Sequence, residues 1–251
     1  MNTSEAMKLF SSRRKIEILD ALFNGDSIDS IKKQMPASTY SVTMHSLASA
    51  GYVEEIRGDA VLTDRGRACR ILFAQLNESL DTLLRLHDAF PEHSIRFPDP
   101  FYARLHELQG FRVITAEPKN VLKPQKVFFD YLGRSKHVMG ITPFLFPDYI
   151  DFFSRMAEQS TRIALVVTPG VYEGISSSEA IGRENVAIYV ADDVPPIAAA
   201  VTDQFVSIGF FYRSGSYDFT RDLIATSPEA KRFGHDLIGH YMGRSRKVTP
   251  P

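Results

Sequence analysis

Cysteine is almost missing from this chain. Cys69 is the only one among 251 residues, which excludes an intramolecular disulfide and a cysteine-built zinc site. Long apolar runs are missing as well. No stretch approaches the roughly 20 residues of a membrane span, and the first residues lack the apolar core of a secretory signal. A soluble, cytoplasmic chain with no membrane partner is therefore expected. A dominant charge is also absent: 29 Lys and Arg face 30 Asp and Glu, a formal net charge of −1. Even residues 1–70 hold only ten basic against nine acidic side chains. If nucleic acid is the partner, its charge must be arranged by face and not by total.

Catalytic signatures are scarce. There is no G-x-S-x-G elbow, Ser176-Ser177-Ser178 reads as loop, and no glycine-rich phosphate loop follows a strand. His235 and His240 stand five apart on a helical segment and so do not share a face, and no His, Asp and Glu set has ligand spacing. No catalytic residue, metal or cofactor is expected.

What is present begins with helical periodicity. From Ser12 to Phe23, Ile16, Leu19, Leu22 and Phe23 form one stripe that stops at Asn24-Gly25. A short helix fits Ser27–Gln34, halted by Pro36. A third starts at a cap in Ser38 or Thr39 and runs to Ala50, with Tyr40, Met44 and Leu47 inward and Gly51 closing it. The period then changes. Tyr52–Ile56 and Ala60–Leu62 are extended runs around Arg57-Gly58-Asp59, a hairpin turn. Three helices followed by a hairpin is the order of a winged helix-turn-helix.

One long helix is expected from Arg65 to about Phe90, with Leu72, Leu76, Leu80, Leu83 and Leu86 or His87 near a heptad spacing. This seam suits self-packing and dimerisation equally. Beyond it, apolar runs at Phe111–Thr115, His137–Ile141, Arg162–Val167 and Val186–Val190 alternate with helical stretches, which argues for a largely parallel sheet. Ile197–Thr202 and Phe205–Phe211 read as a hairpin turning at Asp203-Gln204, a helix covers Pro228 to about Met242, and the last nine residues read as a loose tail. The class expected is α+β: a winged helix-turn-helix over 1–66, a helical linker over 67–110 and an α/β domain with a mostly parallel sheet over 111–251.

Two segments, "GITPFLFPDYIDFFSRMAEQSTRIALVVTPGVYEGI" and "AAAVTDQFVSIGFFYRSGSYDFTRDLIATSPEAKRFGHDLIGHY", carry a likeness to a known family. With "IRFPDPFYARLHEL" and the N-terminal module, the chain resembles archaeal regulators in which a winged helix-turn-helix precedes a methanogenesis-regulator (FilR) middle domain. The resemblance implies a methanogenic archaeal source, DNA binding and a regulatory middle domain. That domain is similar in architecture to a degenerate phospholipase-D-like fold also used by sugar-responsive TrmB regulators. Phospholipase D enzymes need a His-x-Lys pair. None of the seven histidines here has lysine two residues later, so hydrolysis is not expected.

For DNA reading, the candidates are Ser38, Thr39, Ser41, Val42, Thr43 and His45 on the third helix, facing base edges. Arg13, Arg14, Lys15, Lys32, Lys33 and Arg57 are suited to phosphates. The second candidate set follows from where open α/β sheets bind ligands, beyond the carboxyl ends of their strands. It comprises Thr142, Phe144, Phe146, Tyr149, Thr168, Asp203, Tyr212, Tyr217, Asp218 and Arg221, with Asp148 and Asp222 from the same loops. The expected function is a homodimeric transcriptional regulator of metabolic genes that binds double-stranded DNA and senses a small-molecule effector. A protein-interaction winged-helix scaffold and a phospholipase-D-like hydrolase are the competing possibilities.

Overall fold

The structure, a computed structural model, describes residues 8, 9, 11–56, 58–145 and 147–248, without the side chains of 147–149. Arg57, Phe146 and the side chains of Asp148 and Tyr149, all expected at sites, lie outside the described residues. The chain divides into two compact units, 1–77 and 78–251.

The first unit opens with α1 (Arg13–Phe23), α2 (Ile28–Lys33) and α3 (Ala37–Ser49). Ile18, Leu19 and Ala21 are the buried stripe of α1, which stops where Gly25 takes a left-handed φ of 80°. Ser27 caps α2 by accepting from the Ser30 N–H. Helix α3 starts just before the Ser38 or Thr39 cap that was expected, because Pro36 itself occupies the cap position with extended backbone. An antiparallel hairpin follows, β1 (Val53–Ile56) and β2 (Asp59–Leu62), with Ile56 paired to Asp59 and Gly58 at φ 87° in the turn. A two-residue turn of this kind needs positive φ, which glycine supplies without strain. Ile18, Leu19, Ile31, Met35, Leu47, Tyr52 and Val53 form the core. The first turn of α4 (Asp64–Ala89) packs close on the hairpin base: a Cβ on Gly66 would meet the Tyr52 carbonyl at 1.9 Å. Arg70 Nε bonds Asp20 at 2.8 Å, tying α4 to α1.

The second unit is a sheet between two helical layers. Its strands are β3 (His93–Ser94), β4 (Arg112–Thr115), β5 (His137–Thr142), β6 (Arg162–Val167), β7 (Val186–Ala191), β8 (Ile197–Thr202), β9 (Val206–Tyr212), β10 (Arg221–Ala225) and β11 (Ser245–Val248). Their order is β11-β7-β6-β5-β8-β9-β10-β4, with β3 also on β9. Among the described residues only β5–β6 and β6–β7 pair in parallel, and every other pairing is antiparallel. The expectation of a mostly parallel sheet is corrected accordingly. The connector from β7 to β8 is only Asp192–Pro196. Parallel re-entry needs a crossover of a dozen or more residues, so β8 must enter from the end at which β7 leaves. The expected loose tail is likewise corrected, since Ser245–Val248 pairs with Ile188–Ala191 at the sheet edge.

One face of the sheet is covered by α9 (Pro228–Met242) and by segments once expected to form a linker. Leu86, Phe90, Phe97, Phe101, Leu105 and Leu108 lie in the same core as Phe210 and Phe233. Leu86 comes from the end of α4 and Phe90 from just beyond it, Phe97 and Phe101 from the approach to α5 (Asp99–Tyr102) and from α5 itself, and Leu105 and Leu108 from a 3-10 turn at Leu105–Leu108. The other face is covered by α6 (Lys123–Leu132), α7 (Pro147–Glu158) and α8 (Pro169–Ile175).

Candidate functional site

On the α6–α7 face the middle of the sheet is built from small residues. Gly140 of β5 pairs with Ala200 of β8, which pairs with Ser207 of β9, and Ala198 pairs with Gly209. These side chains are too short to reach the covering helices, and a cavity of about 60 Å³ remains above them. Phe128 of α6, Phe153 of α7, and Phe144, Tyr217 and Phe219 from the strand-end loops wall it. The last three form one aromatic cluster, with ring centroids 4.3 Å apart for Phe144–Tyr217, 5.1 Å for Phe144–Phe219 and 4.9 Å for Tyr217–Phe219. A Cβ on Gly209 would meet the Tyr217 hydroxyl at 1.9 Å, so the ring lies directly on bare backbone.

Polar groups enter this apolar space at few points. Asp222 of β10 is buried, and the Ser207 hydroxyl reaches both of its carboxyl oxygens, at 2.9 and 2.7 Å. Burial pushes the Asp222 carboxyl up to about 7, against the smaller pull of the Ser207 hydrogen bond. Gln125 of α6 donates its amide N–H to the Phe219 carbonyl at 2.7 Å, which fixes the orientation of the amide. Its Oε1 is buried and meets no donor among the described residues. The Arg221 guanidinium is held by the Ala89 carbonyl at 3.0 Å and stands 4.0 Å from Asp218.

Asp218 anchors the rim. His93 Nε2 lies 2.9 Å from one carboxyl oxygen, both residues fully buried, and the Thr220 backbone donates to the other at 2.7 Å. Burial works to raise this carboxyl, but hydrogen bonds from Thr220, His93 and Tyr212 outweigh it and hold it below the usual range. Tyr212 stacks on His93 with centroids 4.4 Å apart.

Of the expected residues, Thr142, Phe144, Tyr217, Asp218 and Arg221 come together at this cavity. Tyr212 stands behind Asp218 and does not line it. Thr168 is at the same end of the sheet, but its hydroxyl caps α8 by accepting from the Val171 N–H at 3.3 Å. Asp203 is not brought there. Because β8 runs antiparallel to β5, Thr202 pairs with Val138, and the exposed Asp203 accepts from the Lys136 N–H at the opposite end of the strands. It anchors a turn. Sequence reasoning placed Asp222 in a loop, whereas it is a strand residue central to the cavity. Ser207 and Gln125 were missed. The signal was a polar residue inside each apolar strand run, "VSIGFF" and "RDLIA".

On α3, Ser38, Ser41, Val42 and His45 are exposed at spacings of three and four, one helical face, with Val42 71 % exposed. Thr43 was expected on that face and is corrected: it is buried on the inner side with Leu47. Thr39 is half-buried. Arg13 and Arg14 are both exposed, and both bond Glu17 at 2.8 Å. Those two hydrogen bonds, Arg14 first, hold the Glu17 carboxyl low. Lys32 sits over the Tyr40 ring at 5.5 Å, Lys33 is exposed and Lys15 is half-buried.

Residues 121–244 match the family described as Methanogenesis regulatory protein FilR1, middle domain. The chain is 24 % identical over 198 residues to the Methanogenesis regulatory protein FilR1 of Methanothrix harundinacea (strain 6Ac), covering 74 % of this chain and 44 % of that one. It therefore spans less than half the length of this curated relative. Among solved structures, TrmBL2, an archaeal chromatin protein with a novel mode of DNA binding, aligns over 98 % of this chain and 100 % of its own at 10 % identity, with a TM-score of 0.45. The phospholipase D family member Nuc from Salmonella typhimurium aligns over 55 % of this chain and 98 % of its own at 10 % identity, with a TM-score of 0.43. No helix among the described residues is long and apolar enough to cross a membrane.

Proposed function

We propose that the protein is a DNA-binding transcriptional regulator. Its first unit is a winged helix-turn-helix whose α3 enters the major groove, and its second unit senses a small effector and catalyses nothing. The observation that carries this is the face of α3. Ser38, Ser41, Val42 and His45 project from a helix whose other side is fixed by the core, next to a two-stranded hairpin. Short hydroxyls and an apolar methyl are suited to base edges and the thymine methyl. Arg13, Arg14, Lys15, Lys32 and Lys33 supply phosphate contacts, and because exposed pairs such as Arg14–Glu17 are weak, Arg13 and Arg14 exchange Glu17 readily for phosphate.

The match of residues 121–244 to a regulator's middle domain supports the regulatory assignment of the second unit. The lack of any His-x-Lys leaves no nucleophile and phosphate-holding pair for hydrolysis. The cavity at the carboxyl ends of the parallel strands is the effector site. Leu72, Leu76, Leu80 and Leu84 of α4, all exposed, form the dimer seam, so that two α3 helices meet successive half-sites. Coupling between effector and DNA equals the effector's differential affinity for the two states, on the order of 1–3 kcal/mol. Selection from a pool of random duplexes tests the assignment. An enriched inverted repeat is expected, and a pool that stays random would count against it.

A further inference from the structure

We infer that the cavity above Gly140, Ala200 and Ser207 takes a small organic ammonium ion, its head group on the Asp222 carboxyl and the Gln125 amide oxygen and its alkyl part between Phe128, Phe144 and Phe153. This rests on the effector-site reading above and names the class of ligand.

The inference comes from counting donors and acceptors. Three side-chain donors that line the cavity are engaged, and the Thr142 and Tyr217 hydroxyls can donate or accept and so favour neither sign of charge. The Ser207 hydroxyl serves Asp222, the Gln125 amide N–H serves the Phe219 carbonyl, and the Arg221 guanidinium gives one N–H to the Ala89 carbonyl while its charge faces Asp218 at 4.0 Å. Asp218 is taken up by His93 and Thr220, but two other acceptors are under-used. Asp222 has one donor for a group that can accept several hydrogen bonds, and Gln125 Oε1 is buried with none among the described residues. A buried acceptor without a donor is costly, and a ligand that donates removes that cost. An anion entering here would oppose ionisation of Asp222, and the one cationic side chain of the lining, Arg221, already has its charge offset by Asp218. A cation meets two acceptors and a lining of aromatic rings, whose faces attract positive charge. Size narrows the class further. A cavity of about 60 Å³ compares with roughly 10–15 Å³ for one water, so the ligand has about four to six heavy atoms. A carboxyl held up by burial also gains most from a cation that stabilises its ionised form.

The test uses three probes of one size on the full chain: n-propylammonium, n-propanol and propionate at matched ionic strength, followed by thermal melting and calorimetry. Propylammonium is expected to bind saturably and raise the melting temperature, with at least tenfold weaker binding in Asp222→Asn and weaker binding in Gln125→Leu. Asparagine is nearly isosteric, and the Gln125 change on a half-buried helix position serves if Asp222→Asn fails to fold. Propylammonium that does not bind, or binds Asp222→Asn undiminished, would overturn the inference, as would tighter binding of propionate or propanol. Ala200→Leu, which fills the cavity, separates the two levels. A neutral or anionic probe lost in that variant leaves the effector site standing and removes only the ammonium class. A compound that changes DNA affinity equally in Ala200→Leu places the effector site elsewhere.

Discussion

The Ser207 hydroxyl lies within hydrogen-bonding distance of both carboxyl oxygens of Asp222, 2.9 and 2.7 Å away, and supplies one proton to a fully buried group. The two residues sit on neighbouring strands, offset by two positions along the β9–β10 ladder, where Ser207 pairs with Ile224. A carboxylate in that setting lacks the donors that ionisation requires.

Asp222 should therefore destabilise the fold at high pH. Its folded value, about 7, lies above the ordinary carboxyl value of 3.8. Its contribution is full below that ordinary value, erodes as pH rises toward 7 and is gone above it. Asp222→Asn should remove this dependence, so the variant gains on wild type by on the order of 2–4 kcal/mol between pH 5 and pH 8. Paired thermal melts check this, and a difference that stays constant with pH contradicts it.

Asp218 should act with the opposite sign. Its carboxyl is held low, so its contribution is present above the ordinary value and lost as pH falls through the folded one. Replacing it with alanine leaves His93 buried without its partner and should cost roughly 3–5 kcal/mol at neutral pH. Chemical denaturation measures this, and a loss under about 1 kcal/mol would show that the pair is not structural.

Gly209→Ala should displace Tyr217, because the added methyl would coincide with its hydroxyl. A loss of about 1–3 kcal/mol is expected, together with weakened binding of any ligand of the cavity. Stability and binding both at wild-type level would mean that the ring is not fixed on β9.

The exposed stripe of α4 should hold the dimer. Leu76→Glu with Leu80→Glu is expected to shift the light-scattering mass to that of a monomer while leaving the melting temperature near wild type, because neither side chain is in a core. Leu83 and Leu86 belong to the second unit's own packing and are poor choices for this test. A double variant that stays dimeric moves the interface elsewhere.

The sequence is most informative where local rules decide the outcome. Asn24-Gly25, Ser27 and Gly51 mark helix ends by capping chemistry alone, and the hairpins at Gly58 and Asp203-Gln204 follow from turn residues. Thr43 was misplaced because a hydroxyl at a helical position suits either face, and only packing against the first unit's core turned it inward. The reversal of β8 was legible in the five-residue connector Asp192–Pro196 but was hidden by an alternation that parallel and mixed sheets share. Asp203 followed that error to the wrong end. The Ser207–Asp222 pair depends on the register between two strands, and the Gln125–Phe219 bond spans 94 positions. Neither relation has a local signature.

The exposed face of α3 can be tested by itself with fluorescence anisotropy on duplex DNA from the selected pool. Arg14→Ala and Lys33→Ala should each lower the slope of log affinity against log salt by about one, whatever the sequence bound. Val42→Glu together with His45→Glu places two negative charges where the proposed docking puts bases or phosphates, without touching the core. Binding of that double variant is expected to fall at least a hundredfold at 0.15 M salt, about 2.7 kcal/mol or more, with an unchanged melting temperature. Duplex affinity equal to wild type in this variant would show that α3 does not enter the groove.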